Sequence, residues 1–162
     1  EPIEFYGNCY NGNADLYTTM SYLPHVDTFP GADEGINPLN DYAFNLNVTK
    51  SDKVKTAFYS FNGKKSVCDW TPDDYDDHDR VRDRHKKIKA KDWRLLSSEN
   101  FQNYQLEYIA NIEYNSLILY PSHYWHSVYI KEDWFTDTDR VTFTGFFETK
   151  TTSSKTKKLG FG

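Results

Sequence analysis

A chain of 162 residues is long enough for one domain with a hydrophobic core and too short for two domains of ordinary size. The net charge of -5 argues against nucleic acid as a partner, because phosphate binding needs a basic surface, and no apolar run approaches the roughly 18 residues that span a membrane. Aromatic residues make up 17% of the chain, which favours β-structure, while two cysteines without a C-x-x-C pair exclude a disulfide framework and favour a cytoplasmic protein.

The first predicted strands lie in the N-terminal half. Residues 16–22, "LYTTMSY", are rich in Thr and Tyr and predict a strand that ends before Pro24. The stretch "YAFNLNVT" alternates strictly, which predicts a strand with an apolar core face and a polar opposite face. Its core face contains Tyr42, Phe44, Leu46 and Val48, and its polar face Ala43, Asn45, Asn47 and Thr49. The next predicted strand, "VKTAFYSFNGK", ends at the turn signal Asn62-Gly63.

Charged residues dominate the segment 70–91, with acids in its first half and bases in its second. One interpretation is a metal-binding cluster of Asp76, Asp77, His78 and Asp79. The other is a surface loop or short helix with a solvated mixed-charge face, which we favour because nothing in the sequence holds these side chains on a rigid element. The composition is also compatible with a lid over a binding site.

Strands resume at Tyr104. The stretch "YQLEYIANIEYNSLILYP" predicts two strands around the turn at Tyr114-Asn115, the second of which stops at Pro121. "SHYWHSVYI" follows, and the last predicted strand runs from Arg140 to Glu148. Roughly eight strands with few helices predict an all-β fold with minor α content, either a β-sandwich or a jelly-roll barrel. We expect a single domain over residues 1–149 and a flexible basic tail over residues 150–162.

Four polar side chains fall at strand ends. His25 and Asp27, in "PHVDTFPG", point to the same side of an extended chain, although such a triplet alone more often marks a polar strand end. His126 begins a late strand, and Arg140 opens the last one. A jelly roll makes neighbours of strands that are distant in sequence, so these residues are compatible with one site.

The combination of these motifs resembles the Fe(II)- and 2-oxoglutarate-dependent dioxygenases, in particular the prolyl-hydroxylase-like members. "YLPHVD" is similar to the entry of their metal motif, and "NSLILYPSHYWHSV" to the stretch that carries their distal histidine. "DRVTFTGFFE" is similar to their final strand. The resemblance covers about residues 16–148, and it implies a double-stranded β-helix, the cupin-like form of the jelly roll.

The resemblance also implies a role for each residue. His25, Asp27 and His126 would be the catalytic facial triad that holds Fe(II), since two imidazoles and one carboxylate leave three coordination positions open. Arg140 would bind the far carboxylate of the cosubstrate 2-oxoglutarate through its guanidinium fork, with Thr142 adding a hydroxyl. His123 is a rival to His126, which we prefer because His123 is expected to lie in the turn after Pro121.

Further aromatic and polar residues stay open as members of the site. Tyr17, Asn45 and Tyr59 are candidates for cosubstrate contacts, although packing or exposure explains each of them as well. Trp125 and Trp134 are candidates for the substrate opening. The implied activity is hydroxylation of a C–H bond with release of succinate and CO2.

Two other functions compete with this activity: a non-catalytic jelly-roll module that binds a ligand or carbohydrate, and a cupin-like metalloenzyme that does not use 2-oxoglutarate. Arg140 favours the oxygenase, because neither alternative needs an arginine at that position. The substrate is undetermined between a small molecule and a protein side chain. No feature indicates a membrane, and none indicates an oligomeric state.

Overall fold

Two antiparallel sheets and one α-helix make up the part of the chain that this computed structural model describes, which is residues 2–10, 24–27, 42–85, 103–131 and 134–147. Over these residues the elements are β1 (Pro2–Tyr10), β2 (Tyr42–Asn47), β3 (Lys55–Phe61), a 3-10 turn (Val67–Asp69), α1 (Pro72–His85), β4 (Tyr104–Asn111), β5 (Leu117–Pro121), β6 (His126–Val128) and β7 (Arg140–Phe147). The predicted strand at 16–22 and the predicted tail at 150–162 lie outside the described residues.

The strands form one sheet of four strands, in the order β1-β7-β2-β5, and one of three strands, in the order β4-β3-β6. The prediction of a mostly β fold with little helix is therefore confirmed, while the two sheets are not closed into a barrel over the described residues. The sequence analysis missed β1, which pairs along its length with β7. The alternation of Ile3, Phe5 and Cys9 with polar residues is the signal that would have revealed it.

In β2 the predicted polar face is buried, and of the predicted core face only Phe44 is buried. Asn45 and Asn47 are buried, with Asn47 at 0% exposure, whereas Tyr42 and Leu46 are only half-buried. Asn47 stays satisfied in the interior, because its Nδ2 donates to the Ile112 carbonyl over 2.8 Å. The inner face of the four-stranded sheet is thus polar, which a simple rule of apolar residues inside does not anticipate.

The helix α1 packs on the three-stranded sheet, on the side opposite the polar interior. Val81 joins a buried cluster whose other members include Val26, Ala57, Tyr59, Phe61, Tyr104 and Trp125. His78 belongs to the same layer, since its ring centroid lies 5.3 Å from that of Trp125 and 5.2 Å from that of Trp70. Of the favoured interpretation, a surface loop or a short helix with a solvated face, the helix agrees with the structure over residues 72–85, although His78 packs inward. Residues 86–91 lie outside the described ranges.

The helix begins with a cap in which the Asp74 carboxylate accepts from Thr71. The Thr71 backbone N–H and hydroxyl both donate to Asp74 Oδ2, at 2.7 Å and 2.6 Å, and Pro72 occupies the first helical position. Lys64 forms an ion pair with the same carboxylate. These contacts fix the start of α1 against the turn that follows β3.

Two predicted turns are confirmed by positive backbone φ angles. Asn62 and Gly63 have φ of 50° and 79°, and Phe61 bridges to Lys64, as in a two-residue hairpin turn. Asn115 has φ of 58° between β4 and β5. Among the described residues, no helix is both long enough and apolar enough to cross a membrane.

Candidate metal centre

His25 and Asp27 are held against β6 by backbone hydrogen bonds. The His25 N–H donates to the His126 carbonyl and the His126 N–H donates to the His25 carbonyl, both over 2.9 Å. The Asp27 N–H donates to the Ser122 carbonyl over 2.9 Å. Val26, between them, is 7% exposed and packs in the core cluster under α1, so His25 and Asp27 point to the other side.

Three side chains converge at this point. The ligand atoms of His25, Asp27 and His126 all lie within 4.8 Å of one another, and no other group of three histidine, cysteine or acidic residues among the described positions does the same. The His126 Nε2 is 3.4 Å from Asp27 Oδ2, and the two imidazole rings lie 4.5 Å apart. The structure therefore brings together the three residues that the sequence motif singled out.

The orientation of His126 is set by its backbone neighbour. Its Nδ1 lies 2.9 Å from the Tyr124 carbonyl, which only accepts, so Nδ1 carries the proton and Nε2 is left with a free lone pair. Burial lowers the pKa of the His126 imidazole to about 4, although the hydrogen bond to Tyr124 opposes the shift. The ring is thus neutral near pH 7 and presents a basic nitrogen to Asp27.

The Asp27 carboxylate fits a metal ion better than it fits the protein alone. Its Oδ2 is buried and accepts no hydrogen bond within the part of the chain that the structure describes. Burial raises the pKa of this carboxyl to about 6, against the opposing charge of His25. A buried carboxylate oxygen without a donor is costly, and a cation bound by this carboxylate and the two imidazoles would remove that cost.

His123 lies elsewhere. It is buried, its Nδ1 is 3.2 Å from the Ser66 hydroxyl, and it is not a member of the converging group. Burial lowers the pKa of its imidazole, although the charge of Asp69 opposes that shift. Of the two rival histidines, His126 is the one that faces His25 and Asp27.

Arg140 and Thr142 lie on the inner face of the four-stranded sheet. They are 3% and 1% exposed, and Arg140 Nη1 donates to Thr142 Oγ1 over 3.2 Å. An arginine at the start of a strand is ordinarily a surface residue, so its burial marks an interior that tolerates a cation. Their contact with any ligand stays a prediction.

Tyr120 connects the two sheets and was missed by the sequence analysis. Its ring centroid lies 4.7 Å from that of His126, and its hydroxyl accepts a hydrogen bond from Asn45 Nδ2 over 3.2 Å. Burial and the charge of Asp27 raise its pKa well above the ordinary value, while the charge of Arg140 acts in the other direction. Tyr120 is therefore close enough to both Asp27 and Arg140 to feel their charges. No local signal distinguishes it within "SLILY".

The remaining candidates divide by face. Asn45 lies on the inner face, where it contacts Tyr120 and accepts from the Thr144 hydroxyl over 2.6 Å. Tyr59 packs in the cluster under α1, where its hydroxyl accepts from Ser127 over 3.3 Å. Tyr17 lies outside the described residues.

The two tryptophans belong to the packed core. Trp125 is 1% exposed within the cluster under α1, so the idea that it lines an opening is wrong. Its position follows from strand alternation, which puts it on the face of the sheet opposite His126. Trp134 packs edge-on against Tyr129 and Phe135 and is half-buried, which also indicates packing.

Comparisons with known proteins show a similarity of fold and no similarity of sequence family. No protein-family model matches the sequence, and no curated protein matches it either. A solved structure of an N-substituted L-amino acid dioxygenase from Burkholderia ambifaria AMMD is similar, with a TM-score of 0.50 and 12% identity over 90% of this chain. A second structure of such a dioxygenase from the same organism, in complex with alpha-KG, has a TM-score of 0.49 at 12% identity. The chain spans 48% of the length of each. The first comparison shows a fold similar to that of a dioxygenase.

Proposed function

We propose that this chain is an Fe(II)- and 2-oxoglutarate-dependent oxygenase that hydroxylates a C–H bond. The observation that carries the proposal is the convergence of His25, Asp27 and His126 within 4.8 Å around a buried carboxylate oxygen that lacks a hydrogen bond among the described residues. The similarity of the fold to that of a dioxygenase supports it.

The donor set favours an open, redox-active metal site. Two imidazoles and one carboxylate leave three positions of an octahedral ion for other ligands, whereas structural zinc sites are closed by four protein ligands and often use thiolates. Cys9 and Cys68 are not among the converging side chains. We therefore assign His126 Nε2, one nitrogen of His25 and a carboxylate oxygen of Asp27 as the iron ligands.

The chemistry of this class balances as follows. The C–H compound, O2 and 2-oxoglutarate yield the hydroxylated product, succinate and CO2, with one oxygen atom entering the product and the other entering succinate. When bound, iron supplies the activation of O2. The protein holds the iron, positions the two organic reactants and excludes water from the interior.

Arg140 and Thr142 would hold the cosubstrate. Both are buried, and Arg140 carries a positive charge on the polar inner face that also bears Asn45 and Tyr120. A guanidinium at such a place is suited to a carboxylate, because two parallel charge-assisted hydrogen bonds hold it in one orientation. The cupin-like alternative, which does not use 2-oxoglutarate, gives Arg140 no ligand.

Anaerobic titration with Fe(II) and then 2-oxoglutarate tests the proposal. We expect a weak visible metal-to-ligand absorption band in the wild-type protein and a 2-oxoglutarate affinity that falls by at least about tenfold in Arg140→Ala. Arg80→Ala is the matched control, because Arg80 is a largely exposed arginine on α1. An absent band, or equal affinities in the two variants, would contradict the proposal.

If Fe(II) binds in the wild-type protein and 2-oxoglutarate does not, the cupin-like metalloenzyme becomes the better description. If neither binds, the non-catalytic binding module does. If both bind, succinate release is measured in the presence of candidate substrates.

A further inference from the structure

A row of rings leads from the metal centre across the three-stranded sheet. His25 bridges to His126, His126 is opposite Phe58 on β3, and Phe58 is opposite Tyr108 on β4. Directly opposed residues of an antiparallel sheet point to the same face, so these four rings share the face that carries the metal site. The ring centroids of Phe58 and His126 are 6.4 Å apart, and so are those of Phe58 and Tyr108.

A groove lies along the outer end of this row. It has a volume of about 260 Å³, and its walls include Phe58, Tyr108 and Tyr124. Tyr108 is 63% exposed, and its ring lies nearly parallel to that of Phe58, at 24°. Tyr124 joins the groove to the metal centre, because its carbonyl accepts the hydrogen bond from His126. A ligand that stacks here would contact Phe58, and the Phe58 ring is the neighbour of the His126 ring.

Two opposite charges complete the groove. Lys65 Nζ lies 3.7 Å from Glu107 Oε2, and the Lys65 side chain is 63% exposed. The other oxygen of Glu107 accepts from the Ser60 hydroxyl over 2.7 Å, which orients the carboxylate. The Glu107 side chain is 29% exposed, so the pair lies at the surface, where such pairs contribute little to stability and Lys65 can turn to a ligand at little cost.

We propose that this groove binds a free aromatic α-amino acid and, on the basis of the proposed function, that this amino acid is the substrate. The aromatic ring would lie on Tyr108 and Phe58, where offset stacking is favourable. The α-carboxylate would meet Lys65 and the α-ammonium would meet Glu107, so the charges of the ligand are opposite in sign to those of the groove. The volume suits a single small zwitterion better than a folded partner.

Ligand-observed NMR on the metal-free protein tests the binding step without requiring iron. The probes are L-phenylalanine and three analogues. Phenethylamine lacks the carboxylate, 3-phenylpropionate lacks the ammonium, and L-alanine lacks the ring. We expect saturable binding of L-phenylalanine and at least about tenfold weaker binding of L-alanine. No saturable binding of L-phenylalanine up to about 10 mM would overturn the proposal.

Variants assign the contacts. Tyr108→Ala should weaken L-phenylalanine binding by about tenfold, while Tyr114→Ala, at an exposed tyrosine outside the groove, should leave it unchanged. Lys65→Gln should weaken L-phenylalanine and leave phenethylamine unaffected, and Glu107→Gln should weaken L-phenylalanine and leave 3-phenylpropionate unaffected. Equal effects of the two tyrosine variants, or effects of the charge variants that do not follow the probe, would refute the assigned groove.

An experiment with Mn²⁺ tests the substrate role separately from the binding of the amino acid. In a protein shown by electron paramagnetic resonance to bind Mn²⁺, the ion should enhance the relaxation of the ring protons of bound L-phenylalanine, because Phe58, in the wall of the groove, is the neighbour of His126. Saturable binding without that enhancement would refute the substrate role. A protein that binds L-phenylalanine but no Mn²⁺ would instead contradict the proposed function and leave the groove assignment intact.

Discussion

At the scale of single residues, the candidate site contains a buried carboxylate whose charge a bound cation would neutralise. Asp27 has a buried oxygen without a donor among the described residues, and His126 presents an unprotonated nitrogen 3.4 Å away. His126 does not readily take up a proton to pair with Asp27, because burial disfavours an ion pair in which Asp27 is negative and His126 is positive. The same geometry makes metal binding sensitive to protons.

Metal affinity should fall as the pH decreases through about 6. The raised pKa of Asp27 means that below pH 6 the metal displaces a proton, so the dissociation constant should rise about tenfold for each pH unit. His126, with its pKa lowered to about 4, should not add a second proton until the pH is lower still. Titration with Mn²⁺ between pH 5 and 8 measures this dependence, and an unchanged affinity between pH 7 and pH 5 would contradict it.

The two rival histidines should respond differently to substitution. His126→Ala removes a ligand and should weaken metal binding by at least about a hundredfold. His123→Gln keeps a polar partner for the Ser66 hydroxyl, and we expect metal affinity to change by less than about threefold. Metal titration followed by fluorescence or calorimetry compares the two, with circular dichroism to check that each variant is folded. A larger loss of metal affinity in His123→Gln than in His126→Ala would mean that His123, and not His126, is the ligand.

At the scale of the elements, buried polar groups decide how β2 and α1 sit in the fold. In β2, Asn47 accepts from the Thr49 N–H over 2.7 Å and donates to the Ile112 carbonyl, so its amide ties the end of β2 to the residue that follows β4. In α1, Asp74 performs a comparable role for Thr71 and Lys64. Both elements therefore depend on side-chain to backbone bonds that their hydrophobic patterns do not reveal.

Replacing Asn47 by leucine should destabilise the protein, even though the change adds apolar surface at a buried position. The Ile112 carbonyl and the Thr49 N–H would lose their partner, and we expect a loss of about 2 to 4 kcal/mol in the free energy of unfolding. Asn111→Leu, at an exposed position on β4, should change it by less than about 0.5 kcal/mol. Urea denaturation measures both. A neutral or stabilising Asn47→Leu would mean that the polar face of β2 is not inside.

Removing the helix cap should cost stability in a pH-dependent way. Burial alone would raise the pKa of Asp74, but hydrogen bonds from Lys64 and Thr71 hold it well below the ordinary value of 3.8. The stabilisation is therefore present above pH 3.8 and is lost as the pH falls through the lower pKa of the folded state. Asp74→Ala should cost about 1 to 3 kcal/mol at pH 7, with exposed Asp73→Ala as the control. An equal loss in the free energy of unfolding for the two variants, measured by urea denaturation, would mean that Asp74 does not stabilise the start of α1.

At the scale of the whole molecule, the candidate metal centre joins parts of the chain that are far apart in sequence. His25 and Asp27 come from a short segment near the N-terminal end, and His126 comes from β6, about a hundred residues later. Tyr120 adds a contact from the four-stranded sheet to the same place. A metal that binds only the folded arrangement therefore stabilises the whole fold.

Metal should raise the melting temperature of the wild-type protein. At a hundredfold excess over the dissociation constant, mass action contributes about 2.7 kcal/mol, which corresponds to roughly 5 to 10 °C for a domain of this size. Differential scanning calorimetry with Mn²⁺ and with a chelator measures the shift. His126→Ala should show no shift, and an equal shift in that variant would place the stabilising ion elsewhere.

The sequence by itself determined the local features of this protein. Strict alternation located β2, runs rich in apolar and aromatic residues located β3, β4, β5 and β7, and Asn62-Gly63 marked a hairpin turn. The spacing within His25-Val26-Asp27 put two polar side chains on one side. These features depend on neighbours a few residues away, because side-chain direction and turn geometry are set by local backbone dihedrals. The motif also singled out His126 before the fold was known.

Only the tertiary structure decided which face of each strand is interior and what meets there. Alternation says that Phe44 and Asn45 point in opposite directions, but the partners of β2 decide that Asn45 reaches Tyr120 inside the fold. The burial of Trp125 and the exposure of Tyr108 follow in the same way from the pairing of β3 with β4 and β6. Long-range pairing sets these environments, since a side chain's surroundings come from strands that its own sequence neighbourhood does not contain.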